Sequence, residues 1–345
     1  MTQPQLGGMS RRDKVKIAIL VAVVLSIPAV IVLPWAHARL EDFFSGPRAQ
    51  LFGQVLVAIL LEAFPFVLIG ATISGLVEVF VPPERLARVI PRRLGWRLLM
   101  AAFAGVILPV CECGIVPVAR RLIRKGLPIE MAVVFMLAGP IVNPTVVAST
   151  AVAFTGQGLA LEMTVARVVC GVTVAMLVGL GVFKWFRHRD LAPPERGDTY
   201  GHGAQGSGSV LTNVLVHIVH DFLLLGGFLL LGSLLAAGLQ AFVPRGWLVG
   251  IGKTPVASTA GMMLMAFLLN VCSEADAFLA AAFAQFSFAG RLGFLVFGPM
   301  LDVKLVAMYL GAFPKRMLLA VLLFVPPLVL AVSELAGLVH AALGG

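Results

Sequence analysis

The sequence predicts an all-α polytopic membrane protein. It would hold two inverted-topology repeats, each of three spans plus a re-entrant helical hairpin, preceded by one extra N-terminal span. Three observations predict this. The chain is 59% hydrophobic and only 12% charged over 345 residues, outside the range of soluble domains, and several apolar runs reach spanning length. Landmarks recur at a nearly constant step: Phe80-Val81-Pro82 returns as Phe242-Val243-Pro244 after 162 residues, Cys111 as Cys272 after 161, and Gly139-Pro140 as Gly298-Pro299 after 159. Finally, Lys and Arg fall on one side of the membrane only if two of the apolar segments turn back.

The elements follow in order. Arg11, Arg12, Lys14 and Lys16 precede an apolar run from Ile17 to Trp35 and then Ala36-His37-Ala38. That pattern resembles a secretory signal, but 19 residues exceed a usual signal core, so an uncleaved span is expected within residues 1–49. The first repeat covers 50–183. Leu51 to Val81 is a long apolar run kinked or tilted near Pro65. Pro82 to Arg97 is a basic loop. Leu98 to Ala119 carries Cys111-Glu112-Cys113 and runs into the basic turn Arg120 to Lys125. Ile129 to Thr155 is broken at Gly139-Pro140-Ile141-Val142-Asn143-Pro144, and Glu162 to Phe183 is a span. Residues 184–209 are rich in Gly, Pro, Ser and charge and read as a flexible linker. The second repeat, 210–345, repeats the order: Val210 to Val243, Pro255 to Phe288 with Cys272-Ser273-Glu274, Leu292 to Ala312 with Gly298-Pro299 and Asp302, and Met317 to Leu343.

Charge counting separates two topologies. If every apolar segment crosses, the Lys and Arg residues divide 13 to 11 between the sides. If the two cysteine segments enter and leave on one side, the N-terminus, the 85–97 loop, Arg120 to Lys125, the linker and Lys315-Arg316 share a side with 19, against 5 opposite. The second arrangement obeys the positive-inside rule. It puts the N-terminus and linker in the cytoplasm of a bacterial inner membrane and the C-terminus in the periplasm. Each half then has three crossings, so the halves are inverted. Leu98 to Leu108 gives roughly 16 Å of helix, half of a ~30 Å hydrocarbon core, so the hairpin tips would meet near mid-depth.

The chemistry sits at these tips. Ionisable groups within apolar segments are functional candidates. Pro109, Gly114 and Pro117 disfavour a continuous helix, and in extended backbone Cys111 and Cys113 would share a face. With Cys272 they could surround one thiophilic centre, because thiolates select soft ions. Asn143 and Asp302 follow matching breaks at Gly139, Pro140, Pro144, Gly298 and Pro299, where free carbonyls and amides can bind ions or polar groups. Glu112, Glu274, Asp276 and Lys304 are the candidates for proton coupling. Asp302 and Lys304 are expected to pair with each other or with Glu274 and Asp276. Small-residue packing of tight turns is the plainer reading of a single cysteine and is preferred for Cys170. His217, His220 and Asp221 share a helix face that could bind metal, though a solvated start to the span is the favoured reading.

At Pro109 to Pro117, the basic turn, and Gly139 to Pro144, the chain resembles a predicted permease family that includes bacterial organoarsenical efflux permeases. The similarity covers residues 50 to 343. It implies an inner-membrane permease, with efflux of trivalent organoarsenicals by some members, and carries over to Cys111, Cys113, Gly114, Pro140, Asn143 and Pro144. Members of that family usually have serine or another small residue between the cysteines. Glu112 departs from this and points toward a cation or a proton-coupled solute.

The expected activity is a secondary transporter for a thiophilic solute, metal or metalloid. A membrane thiol-disulfide oxidoreductase and a passive channel are the alternatives. No P-loop, nucleotide fingerprint or nucleophile triad is evident, so no enzyme activity and no cofactor are expected. The net charge of +9 flanks apolar segments and does not indicate nucleic acid. The expected partners are the lipid bilayer and a small solute or ion, with homo-oligomerisation left open.

Overall fold

A computed structural model describes residues 47–108, 111–185, 210–242 and 255–342, which are helical or in turns with no strand among them. The N-terminal span or signal at 17–35, nearly all of the linker, and Pro109 lie outside the described residues. In the first half, α1 is Pro47–Phe80, α2 Pro83–Val89, α3 Leu94–Ile107, α4 Glu112–Arg124, α5 Ile129–Val142, α6 Pro144–Thr155 and α7 Ala160–Trp185. In the second, α8 is Val210–Phe242, α9 Pro255–Leu269, α10 Asp276–Ala282, α11 Phe288–Met300, α12 Val303–Ala312 and α13 Lys315–Ala342.

Length and apolar composition give five candidate membrane spans: Ala49–Phe80, Ala160–Lys184, Val214–Ala241, Phe288–Ala312 and Lys315–Ala342. A sixth is obtained if α5 and α6, bent by 41° at Asn143, count as one. The arms α3 and α9 have 14 and 15 residues. As helices they reach only about 21 and 22 Å, short of a ~30 Å apolar core. Every residue of α5 is buried, as expected of a helix apolar on all faces. By contrast Leu61, Leu161, Leu223, Leu323 and Leu338 are exposed, forming the apolar exterior that lipid requires.

The same helix pairs pack in both halves. α3 lies on α5 as α9 lies on α11, α5 on α7 as α11 on α13, and α4 on α5 as α10 on α11. Across the halves α4 packs on α12 and, correspondingly, α10 packs on α6. Close approach at two of the crossings depends on glycine. A Cβ on Gly70 would fall on the backbone of Gly114, and one on Gly105 would fall on Gly139. Small residues of this kind let helix backbones touch where lipid offers no hydrophobic drive for association. Gly232, the second-half match of Gly70, instead faces the Lys304 backbone, with its Cβ position 2.7 Å from that Cα.

Several boundaries differ from the sequence expectation. Gly114 and Pro117 lie inside α4, and the break precedes Glu112. Gly139 and Pro140 lie inside α5, and Gly298 and Pro299 inside α11, so the helices end two or three residues later. The Gly-Pro pair weakens the last turn, but the helix restarts where a side chain can cap it. Asn143 and Asp302 accept hydrogen bonds from the amides of Thr145 and Leu305, and Pro144 fills the first helical position, where a missing N–H costs nothing. Pro65 lies within the continuous α1. The loop expected at 82–97 contains the short α2, and the basic turn 120–125 is mostly the end of α4.

Gly70→Ala is expected to cost about 1–3 kcal/mol through overpacking at α4 and to lower the thermal midpoint in detergent. Gly95→Ala, whose Cβ meets open space, is expected to leave it in place.

Candidate functional site

Glu112 opens α4, with Cys111 as the extended cap residue before it. Its carboxylate is 1% exposed and sits at a helix N-terminus, where the helix dipole favours negative charge. One oxygen accepts a 2.9 Å hydrogen bond from Ser273 Oγ, and the other lies 3.2 Å from Lys304 Nζ. Lys304 stands in the first turn of α12, two residues after the capping Asp302. Asp302 Oδ1 accepts from the Leu305 amide at 2.7 Å, while Oδ2 lies 3.5 Å from Nζ. Asn270 ends α9 in the left-handed region at φ 51°, a conformation asparagine tolerates at helix ends. Its side-chain oxygen accepts from the Lys304 amide at 2.9 Å, and its carbonyl lies 3.5 Å from Nζ. The break before α4, the break before α10 and the break before α12 therefore meet around one ammonium group.

A second network lies beside the first. Arg167 on α7 is 1% exposed. It donates to Asp276 Oδ2 at 2.9 Å, to the Ser273 carbonyl at 3.0 Å and to Thr150 Oγ1 at 2.7 Å. Glu274 accepts from Thr145 Oγ1 at 3.2 Å. The expectation that Asp302 and Lys304 pair holds between those two, but Glu274 and Asp276 pair elsewhere. Asp276 is held by Arg167, which was not among the expected site residues. Ser273 and Asn270 were also missed. Arg167 was signalled as an isolated charge in an apolar span, and Ser273 occupies the position that matches Glu112 one repeat later.

Cys111, Cys113 and Cys272 are buried, and all three are free thiols. Cys113 has Cys111, Glu112 and Lys304 as electrostatic neighbours, and Cys272 has Glu112 and Glu62. Among the described residues no three His, Cys, Asp or Glu side chains are placed to hold a metal ion. Cys111 caps the helix in extended backbone, and the Cys111 and Cys113 side chains lie within hydrogen-bond reach of each other.

His217, His220 and Asp221 also differ from expectation. Asp221 is buried and pairs with Arg121 at 2.8 Å and with Ser74 Oγ at 2.7 Å. This stretch is thus not a solvated start to a span. Together with Lys125, which donates to the carbonyls of Glu78 and Val81 at 2.6 and 2.7 Å, it fastens the far end of α4 to α1 and α8.

Residues 49–341 match the model of a family described as predicted permeases. The chain belongs to this permease family. The UPF0718 protein YcgR of Bacillus subtilis is 38% identical over 285 residues, covering 81% of this chain and 95% of that protein. A Streptococcus mutans protein, whose name describes a subunit of a two-component membrane permease complex, is 35% identical over 77% of this chain and 88% of its own length. The UPF0718 protein YraQ of Escherichia coli is 24% identical over a third of each chain. No solved structure matches.

This permease thus carries two buried ionic networks of different geometry where its helix breaks converge. Removing one partner of a buried pair leaves an uncompensated charge, at a cost of about 3–5 kcal/mol. Arg167→Met is expected to destabilise by that amount in thermal unfolding. Adding Asp276→Leu to Arg167→Met is expected to recover most of the loss, because no lone charge is then buried.

Proposed function

We propose that this permease is a secondary transporter of the bacterial inner membrane for a small thiophilic solute, such as a trivalent arsenical or a soft metal ion, coupled to protons. The observation that carries the reading is the buried Glu112–Lys304–Asp302 cluster, flanked by Cys111 and Cys113, where interrupted helices converge. Broken helices meeting at a charged centre are the usual architecture of substrate and coupling sites in secondary transporters. In this reading α3–α4 and α9–α10 are re-entrant hairpins from opposite sides, and the two halves are inverted repeats. The 19-to-5 division of Lys and Arg supports that topology, with the N-terminus and central linker cytoplasmic and the C-terminus periplasmic. The recurring helix pairings support it further, as does the Glu112–Ser273 contact, whose partners are 161 residues apart, the same step as Cys111 to Cys272.

The roles divide by chemistry. Cys111 and Cys113 supply soft sulfur, with Cys272 facing Glu112 from the other half. Asn143 and Asp302 fix the restarts of the broken helices and shape the site. Glu112, Lys304, Glu274 and Asp276 are the charged groups from which proton coupling would draw. A thiol-disulfide oxidoreductase fits poorly, because buried thiols cannot reach a partner's disulfide. The Streptococcus mutans relative named as a complex subunit supports a partner chain as part of this reading.

The test uses purified protein and proteoliposomes. Methylarsenite or silver ion is expected to raise the thermal midpoint of the parent protein. Cys111→Ser and Cys113→Ser are each expected to weaken that binding roughly tenfold or more, about 1.4 kcal/mol. Binding equal to the parent in both variants would refute the sulfur site. Uptake into vesicles is expected to follow an imposed proton gradient and to lose that dependence on a protonophore, whereas a passive channel would ignore the gradient.

A further inference from the structure

Among the described residues, buried ion pairs of two kinds stand out. Arg121–Asp221 and Arg167–Asp276 are close, at 2.8 and 2.9 Å, within the range of charge-assisted hydrogen bonds. Lys304 Nζ is different. It lies 3.2 Å from Glu112, 3.5 Å from Asp302 and 3.5 Å from the Asn270 carbonyl, so it is shared among three oxygens without a short bond to any. Asp302 Oδ2 is buried and accepts no hydrogen bond at all. The cage therefore holds two carboxylates against one ammonium, with all three side chains at most 2% exposed.

The surrounding groups do not supply the missing positive charge. Cys113 on α4, Glu62 on α1, Cys272 just before α10, Asp276 on α10 and Tyr309 on α12 are titratable groups that face the cage, and none of them is a cation. The guanidinium of Arg167 is committed to Asp276, Ser273 and Thr150. The oxygens that surround Nζ are hard donors, suited to hard cations rather than to the soft solutes a thiol would take. Lysine is also the cation suited to release. Its ammonium is a point charge on a flexible stem, whereas the arginine fork binds a carboxylate at two points.

We propose that Lys304 is a tethered counter-ion that competes with a singly charged cation, a sodium ion or a proton, for Glu112 and Asp302. This rests on the transporter reading and deepens it. Glu112 and Asp302 form the exchange seat. Cation entry and docking of Lys304 exclude each other, so the site exchanges one positive charge for another while its two carboxylates stay buried. Gly232 belongs to the device, because a side chain there would collide with the Lys304 backbone.

The experiment uses full-length protein in detergent and two probes. Binding of radioactive sodium ion reports one source of charge, and the infrared band of a protonated carboxyl group reports the other. A competitor that fills the seat nine-tenths of the time lowers apparent affinity about tenfold. Lys304→Gln is therefore expected either to bind sodium about tenfold tighter than the parent or to gain a protonated-carboxyl band. Adding Glu112→Gln is expected to abolish whichever appears, and Asp221→Asn, a buried carboxylate at the far end of α4, to leave it unchanged. Neither signal in a folded Lys304→Gln protein overturns the proposal, and so does a signal that follows Asp221. If Lys304→Gln does not survive extraction in choline chloride, its recovery in sodium chloride or at acid pH supports the proposal. Loss under every condition marks Lys304 as a fixed structural charge and overturns it. Neither arm uses a sulfur-binding probe, so failure here leaves the thiol site standing, and failure of the thiol site leaves this result intact.

Discussion

Charge inside an apolar medium must be neutralised by charge, and this requirement organises the middle of the permease. An isolated carboxylate or ammonium in an apolar interior is so unfavourable that it must be paired, hydrogen-bonded or neutralised. Glu112, Asp302 and Lys304 are each almost completely buried, and Glu112 and Lys304 are separated by 192 residues of chain. Their meeting brings together the starts of α4 and α12 and the end of α9, where the side chains of Asp302 and Asn270 bond free backbone groups.

The step between the two copies of the cysteine stretch returns in the contacts at the breaks: Glu112 and Ser273, which touch, are 161 residues apart. The cross-packing of α4 on α12 and of α10 on α6 is the same relation one layer out. The copies have then diverged in chemistry. Where the first half has Asn143 and Thr145, the second has Asp302 and Lys304, and where the first has Cys113, the second has Glu274.

The ionic networks also divide the labour within α4. Its far end is fastened by Arg121 to Asp221 and Glu78 and by Lys125 to the last carbonyls of α1. Its near end is held by the looser contacts of Glu112. The arginine pairs supply the fixed points, since a planar fork with defined donor directions loses little freedom when it binds.

Composition was sufficient to read the class of the protein as helical and rich in membrane-spanning segments. A run of twenty apolar residues has few alternatives in water or lipid, and a repeated motif points to itself. Glu112, Asp302 and Lys304 were visible because charge is rare in such runs. The sequence was a poorer guide to where each helix stops, because Gly-Pro marks a weak point while a capping side chain chooses the residue. It was poorer still on partners. Nothing local to Asp276 indicates Arg167, 109 residues earlier, and nothing in the spacing of Cys111 and Cys113 reveals that Glu112 starts a helix between them. Pairing of buried charges depends on which helix faces come together, and only the packed tertiary structure decides that.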